Sequence, residues 1–296
     1  MASWGCLESD IPEILSQEAD PIGCVARGQY AACIVRQAFP AADCRALVDL
    51  LQTRNLIGGS DGKRIDAQAL PVEVVDRWTQ QGLNPRASGR SRMDLGASLG
   101  NYGDDAQDFF RRSAEAHQLF ADLFQNRPDP IAALYQHLQQ LAPARRVSTA
   151  HEADGRTYGP AIIRVHYGGY TYGPHFDSVR LRESRSEFAV YKYRHQLAGV
   201  LCLQNSTRSG VSAQGIIHRQ PWNEQVDPYL KSGRFDAWVA ERDIEHVCVE
   251  LEPGDLYFFN TGMIHEVPGV PGDDPRIVLA VFIGYSPDDP EIMVWS

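Results

Sequence analysis

The sequence predicts a mainly β protein with flanking helices, an α+β chain whose strands form a β-sandwich or a jelly-roll barrel. The hydrophobic period is helical in the first half of the 296 residues and strand-like in the second half. At least six short apolar or β-branched runs, bounded by Gly, Pro or Asn, follow residue 160. Because no internal repeat or Gly/Ser linker divides the chain, we expect a single domain over 1–296, with mainly helical support over 1–155 and the barrel over 156–296.

One strand and three helices are predicted in the first half. The run 31–36 is typical of a strand, and a helix that opens near Pro40 places Leu47, Leu50 and Leu51 on one face. Two further helices repeat apolar residues at helical spacing, with Phe109, Ala116, Phe120 and Leu123 in the first, and Ile131, Leu134, Tyr135, Leu138 and Leu141 in the second. Residues 54–104 are rich in Gly, Asp, Arg and Ser, so we expect mostly loop there, in a position to lie over a site.

The strands of the second half are expected in short runs separated by turn residues. These runs are AIIRVHY, LAGVLCLQ, GIIH, HVCVEL, DLYFFN and RIVLAVFIGY. Residues 223–243 lack this texture, and we expect a loop or short helix there. Strands of this length and spacing suit a two-sheet barrel with the earlier helices packed on one outer face.

Composition and charge weigh against several classes of protein. The net charge of −10 disfavours a phosphate backbone or an anionic membrane as the main partner. The six cysteines form no CxxC pair and are too sparse for a disulfide-stapled secreted domain. No basic segment precedes an apolar stretch near the N-terminus, and no run of about 18 apolar residues occurs. We therefore predict a cytoplasmic protein with a small-molecule substrate, no nucleic-acid or membrane partner, and assembly as a homodimer left open.

One short motif brings an imidazole and a carboxylate together. In YTYGPHFD, His175 and Asp177 point to the same side of an extended strand, because side chains alternate with a period of two. A second histidine would complete a two-histidine, one-carboxylate face with three open positions, which is typical of non-haem Fe(II) oxygenases. By itself the pair is weak evidence, because a histidine or aspartate on a strand is more often a hydrogen-bonded structural residue.

A second motif supplies the missing parts. The run LEPGDLYFFNTGMIHEV ends near His265, the third-ligand candidate, and Arg276 follows eleven residues later at the head of another strand. A guanidinium there is suited to bind the distal carboxylate of a dicarboxylate cosubstrate through two hydrogen bonds. The alternatives for the distal ligand are His195, His218 and His246, none of which is followed by an arginine at a comparable position.

These motifs carry a family resemblance. RVHYGGYTYGPHFD, LAGVLCLQNS and LEPGDLYFFN are similar to the barrel of prolyl hydroxylases, within the Fe(II)/2-oxoglutarate-dependent oxygenases. From about Cys33 to Ser296, through IVRQAFPAADCRALVDLL, DAQDFFRRSAEAHQLFADLF and GRTYGPAIIR, the chain resembles the carrier-independent alkaloid halogenases of the welwitindolinone type and their related hydroxylases. The resemblance implies a double-stranded β-helix (a cupin-like jelly roll) that binds Fe(II), 2-oxoglutarate and O2. It assigns iron to His175, Asp177 and His265, and 2-oxoglutarate to Arg276.

One departure from the halogenase pattern bears on the reaction. Those halogenases have glycine where this chain has Asp177, and the missing carboxylate leaves room for chloride on the iron. The resemblance therefore implies hydroxylation of an unactivated C–H bond in a secondary metabolite, an alkaloid or an amino-acid derivative, with conversion of 2-oxoglutarate to succinate. Desaturation, cyclisation, epimerisation and peptidyl-prolyl hydroxylation remain alternatives. A non-catalytic β-sandwich that binds a ligand is the alternative from another class.

Several further residues are candidates for the pocket. Arg164 and His166 share a strand face just before the HFD motif, where they either line the pocket or serve the fold. Thr261, or Tyr257, is a candidate to hydrogen-bond the cosubstrate. The basic segment 179–195 is either a solvated face or a lid over the site. His117 and His137 lie on predicted helices, and we expect them only to pack there.

Overall fold

A computed structural model describes residues 4–54, 56–57, 92–101, 105–167, 169–272 and 274–296. These residues form a nine-stranded sheet, a four-stranded sheet and a two-stranded hairpin, with the helices of the first half on the outer face of the largest sheet, so the predicted fold class is confirmed. The helices within the described ranges are α1 (Ile11–Gln17), α2 (Pro21–Ala26), α3 (Ala41–Thr53), α4 (Ala106–Phe124), α5 (Pro130–Leu141), α6 (Asp227–Lys231) and α7 (Phe235–Arg242). The strands there are β1 (Leu7–Ser9), β2 (Ala32–Val35), β3 (Arg92–Leu95), β4 (Arg146–Thr149), β5 (Ile162–His166), β6 (Tyr172–His175), β7 (His195–Gln204), β8 (Thr207–Arg208), β9 (Val211–Ser212), β10 (Gly215–Pro221), β11 (His246–Val249), β12 (Leu256–Asn260), β13 (Met263–Val267), β14 (Arg276–Tyr285) and β15 (Glu291–Trp295).

The larger sheet is built around the long strand β14. Its main order is β1-β2-β12-β7-β14-β15-β4. One edge of β14 pairs with β7, whereas the other edge pairs first with β5 and then with β15. The smaller sheet has the order β11-β10-β13-β6 and is antiparallel throughout. Between the two sheets lies a cleft, to which both contribute side chains.

Alternation along the strands divides the side chains of the larger sheet between two environments. On β14, Ile277 and Leu279 pack toward the helices, whereas Val278 and Ala280 pack toward the smaller sheet. On β5, Val165 belongs to the helical side and the flanking polar residues line the cleft. Since successive side chains point to opposite faces, the apolar pattern of β5 and β14 also determines which of their polar side chains reach the cleft.

The helices of the first half form the outer layer, as predicted. Asp105 and Asp129 cap the N-termini of α4 and α5, and their side chains accept hydrogen bonds from main-chain amides of the first turn. The apolar residues predicted for the α4 face are all buried, namely Phe109, Ala116, Phe120 and Leu123. On α3, Leu47 and Leu51 are buried, whereas Leu50 is half-buried against the same core. This layer seals the face of the larger sheet that points away from the cleft.

The structure corrects part of the loop expectation for 54–104. Most of that segment lies outside the described residues, but Arg92–Leu95 forms β3, which pairs with β5. The polar composition hid this strand, because Asp94 is buried while both its carboxylate oxygens accept hydrogen bonds from Arg92 at 3.1 and 2.7 Å. The residues before 156 thus contribute strands β1–β4 in addition to helices.

The remaining helices are short. The segment 223–243 forms the short helices α6 and α7, in agreement with the prediction of loop or short helix. Across the described ranges, no helix is long and apolar enough to cross a bilayer.

Candidate metal centre and cosubstrate cleft

The three candidate ligands meet on the smaller sheet. β6 ends at His175, Asp177 follows two residues later, and His265 lies on the neighbouring strand β13 directly opposite His175 in the register. One ligand atom from each side chain lies within 4.8 Å of the others. Asp177 Oδ2 is 3.6 Å from His175 Nε2 and 3.7 Å from His265 Nε2. These separations are too long for hydrogen bonds and suit three groups that share one ion.

Both imidazoles are oriented by main-chain carbonyl groups. His175 Nδ1 lies 2.8 Å from the carbonyl oxygen of Gly173, and His265 Nδ1 lies 2.9 Å from that of Met263. A carbonyl oxygen only accepts, so Nδ1 carries the proton in each ring. The Nε2 lone pairs are therefore available to a metal ion, which is the usual arrangement of histidine ligands.

The centre fits a divalent cation in its chemistry as well as its geometry. Within the described residues, the buried Nε2 of His175 has no hydrogen-bond partner. Burial raises the pKa of Asp177, but interactions with His175 and His265 outweigh burial and hold that pKa well below its ordinary value. An anionic carboxylate beside two neutral nitrogen donors is a donor set typical of ferrous iron in oxygenases.

The opposite wall of the cleft carries positive charge. Arg164 and His166 extend from β5 and Arg276 from β14, and all three line the same cleft as the candidate ligands. His166 is the register partner of Arg276. Of the carboxylates that the structure describes, none forms an ion pair with Arg164 or Arg276, although Arg276 is 5% exposed. Arg276 is buried and Arg164 is half-buried. Because neither is paired with a described carboxylate, this wall is suited to anionic groups of a ligand.

His166 is neutral and has free hydrogen-bonding capacity. Neither of its ring nitrogens has a hydrogen-bond partner in the described part of the chain, although both are buried. Burial and the charges of nearby arginines hold the pKa of His166 well below its ordinary value. The arginines are Arg276, Arg92 and Arg164, in decreasing order of effect. A neutral imidazole here can donate one hydrogen bond to a bound ligand and accept another.

Apolar and aromatic side chains complete the cleft. Tyr257 and Phe259 from β12 and small residues of β7 and β14 form its floor. The ring of Tyr172 stacks on His175 with centroids 3.8 Å apart, and the ring of Phe259 meets His265 edge-on at 4.8 Å. A concave lining of apolar and aromatic side chains with a few polar groups is typical of a small-molecule site.

Thr261 requires a correction. It was expected to contact the cosubstrate, but its side chain is fully buried and does not line the cleft. Its hydroxyl group instead lies 2.9 Å from the carbonyl oxygen of Asp177 and 3.0 Å from that of Gln196, to which it donates. The amide of Asp177 in turn donates to the carbonyl oxygen of Thr261 at 2.9 Å. Thr261 thus fixes the main chain at a candidate ligand, while Tyr257 remains on the cleft wall.

We expect Thr261→Val to lower the free energy of unfolding by about 1–2 kcal/mol, because the buried hydroxyl and its two hydrogen bonds are lost at nearly constant shape. Urea denaturation of the metal-free protein measures the change. Thr53→Val, at an exposed position of α3, is the matched control and should leave stability almost unchanged. Equal stability of the two variants would contradict this role for Thr261.

The remaining histidines lie away from the centre. His218 is buried with its Nε2 2.9 Å from Glu266 Oε1, and His246 is exposed on β11. His117 and His137 contact main-chain carbonyl oxygens of Tyr158 and Ala38, consistent with packing roles. None of these, nor His195, lines the cleft. His265 is therefore the histidine that the fold brings to the HFD motif.

Two residues at the centre were missed from the sequence. Tyr172 precedes His175 by three positions, and this spacing places side chains on opposite faces of a regular strand. The two rings nevertheless stack, where the pairing of β6 with β13 is irregular. Arg182 Nη1 donates to Asp177 Oδ1 at 2.8 Å. It lies within the basic segment 179–195, where no spacing distinguishes it from its neighbours.

Comparison with protein families agrees with these observations. The sequence profile of the family described as "Carrier-protein-independent halogenase WelO5" matches residues 4–296. This match confirms the resemblance seen in the sequence. None of the curated protein sequences matches the chain significantly.

Three solved structures are similar to this chain to different degrees. An N-substituted L-amino acid dioxygenase from Burkholderia ambifaria AMMD is 13% identical with a TM-score of 0.54, over 93% of this chain and 90% of that chain. The non-haem α-ketoglutarate-dependent epimerase SnoN from nogalamycin biosynthesis is 10% identical with a TM-score of 0.45, over 93% and 86%. A prolyl-4-hydroxylase from Pseudomonas putida is 17% identical with a TM-score of 0.38, over 88% and 96%. The first similarity establishes a shared fold only.

Proposed function

The chain belongs to the carrier-protein-independent halogenase WelO5 family of Fe(II)/2-oxoglutarate-dependent oxygenases, and we propose that this member hydroxylates an unactivated C–H bond of a small molecule. The observation that carries the proposal is the carboxylate of Asp177 beside the two imidazoles of His175 and His265. When bound, Fe(II) and 2-oxoglutarate supply the oxidation: O2 provides the hydroxyl oxygen, and 2-oxoglutarate leaves as succinate and CO2.

The chain's own residues divide the work of binding. His175, Asp177 and His265 would hold the metal from one side, leaving the opposite positions to ligands from the cleft. Arg276 would bind the distal carboxylate of 2-oxoglutarate, and Arg164 and His166 on the same wall would contact the cosubstrate as well. A dianion matches the two guanidiniums that lack acidic partners among the described residues.

Asp177 favours hydroxylation over halogenation. A carboxylate oxygen faces the position between the two histidine nitrogens, so the chain itself fills a place that a halide would need. The proposed substrate is a secondary metabolite, an alkaloid or an amino-acid derivative. The apolar floor formed by Tyr257, Phe259, Val278 and Ala280 would bind its carbon skeleton next to the metal and exclude water.

The proposal is tested first without any substrate. Anaerobic addition of Fe(II) and 2-oxoglutarate to the purified protein should produce a weak visible charge-transfer band that requires both additions. Absence of the band would contradict the proposed cofactor site, and with it the function.

A metabolite screen then tests the reaction. A true substrate should accelerate succinate formation and give a product one oxygen atom heavier. A product two hydrogens lighter would indicate desaturation or cyclisation, and an isomer of equal mass would indicate epimerisation. A chlorinated product formed in chloride buffer would overturn the proposal that Asp177 favours hydroxylation over halogenation.

A further inference from the structure

Arg182 reaches the candidate metal centre from outside the cleft. It lies in the turn after β6, and its side chain is 46% exposed. Its Nη1 donates to Asp177 Oδ1 and to the carbonyl oxygen of Phe176, each at 2.8 Å. The partly exposed guanidinium of Arg182 therefore binds the buried carboxylate of Asp177.

The two oxygens of the Asp177 carboxylate have different partners. Oδ1 accepts the charge-assisted hydrogen bond from Arg182, whereas Oδ2 faces both imidazole Nε2 atoms. We infer that Arg182 is a positioning residue that holds Asp177 so that only Oδ2 enters the coordination sphere. This inference rests on the metal centre of the proposed function.

The backbone of the turn holds Arg182 in place. Ser178 accepts three of its amide hydrogen bonds: its hydroxyl oxygen from Leu181, and its carbonyl oxygen from Arg182 and Glu183. The guanidinium is thus presented from a formed turn, so less conformational entropy is lost when it binds the carboxylate. Arg182 is in this respect part of the site and not of a freely solvated face.

The other basic side chains of the segment 179–195 point elsewhere. Arg180 lies over the ring of Tyr191 and donates to a main-chain carbonyl group. The rest have acidic partners, since Arg185 pairs with Glu183, Lys192 with Asp289 and Arg194 with Asp288. Within the described residues, Arg182 is the one arginine that forms an ion pair with Asp177.

The arrangement has a direct consequence for coordination. A carboxylate can bind a metal through one oxygen or through both. Two oxygens on the ion would take one of the positions that the cosubstrate and O2 need. By occupying Oδ1, Arg182 keeps Asp177 a one-oxygen ligand, and it also compensates the charge of the buried carboxylate before the metal arrives.

The test compares metal affinity across three variants. Arg182→Met keeps an unbranched side chain but removes the charge. Arg182→Lys keeps the charge but removes the planar guanidinium with its several N–H donors. Arg180→Met is the matched control in the same segment. Mn(II) is titrated into each metal-free protein, with free Mn(II) measured by electron paramagnetic resonance. We expect Arg182→Met to bind Mn(II) about 10- to 100-fold more weakly, Arg182→Lys to lie between it and wild type, and Arg180→Met to match wild type.

Thermal unfolding of the metal-free variants separates positioning from a structural role. The inference is overturned if Arg182→Met binds Mn(II) within about twofold of wild type, a difference below 0.5 kcal/mol. It is equally overturned if Arg182→Lys is no better than Arg182→Met, or if affinity falls only at temperatures where the metal-free variant is already unfolding. Failure of the proposed metal centre looks different, because the wild-type protein itself would then bind no Mn(II), whereas a reaction other than hydroxylation would show only in the product mass.

Discussion

His265→Ala is expected to bind Fe(II) at least about 100-fold more weakly than the wild type and to lose 2-oxoglutarate turnover, because a lost ligand costs more than a lost outer-shell partner. The variant leaves only His175 and Asp177, on a single strand end, to hold the ion. Slow succinate formation without substrate provides a readout that needs no knowledge of the natural substrate. Mn(II) titration of the metal-free protein provides a second readout.

His246→Ala is the control for this prediction. His246 is exposed on β11 of the same sheet and does not line the cleft, so its variant should behave as wild type in both measurements. Unchanged metal binding in His265→Ala, or an equal loss in both variants, would show that the ion is held elsewhere.

Arg276→Leu is expected to weaken 2-oxoglutarate binding by about 100-fold while leaving metal affinity unchanged. Hydrogen bonds to charged groups contribute about 1.5–3 kcal/mol each, and each 1.4 kcal/mol corresponds to a factor of ten in affinity. Anaerobic titration of the visible band of the Fe(II)-loaded protein measures the dissociation constant. Arg276→Lys should be intermediate, because it keeps the charge and loses the planar pair of donors.

Mn(II) affinity is the internal control for the Arg276 variants, since the guanidinium extends from the larger sheet while the ligands lie on the smaller one. If Arg276→Leu bound 2-oxoglutarate as tightly as wild type, another cation would have to hold the distal carboxylate. Arg164 on the same wall is the candidate that this outcome would indicate.

Much of the fold could be predicted because the strands obey a simple period. The nearly continuous apolar run RIVLAVFIGY corresponds to a strand that packs on helices with one face and lines the cleft with the other. The apolar face of the amphipathic helix α4 could also be predicted from the sequence. Strand β3 could not be predicted, because its two charged residues, Arg92 and Asp94, form an ion pair within the strand itself. A sequence pattern cannot distinguish such a pair from two solvated residues.

The candidate site was predictable to the extent that its residues lie at fixed strand positions. His175, Asp177 and His265 come together because β6 and β13 pair with His175 opposite His265. Thr261 was misassigned because a polar residue in a turn looks solvent-accessible, whereas its carbonyl partners place it in the interior. Arg182 was missed because its role depends on the path of a turn, and no periodicity encodes that path.

The register that sets His175 opposite His265 joins positions 90 residues apart in the chain. A metal ion coordinated by both imidazoles would therefore cross-link the two strands and close a long loop. The unfolded chain has no such cross-link. Strands β7, β10, β11 and β12 lie within that loop. We therefore expect metal binding to follow assembly of the smaller sheet, because His175 and His265 face each other only after β6 and β13 have paired.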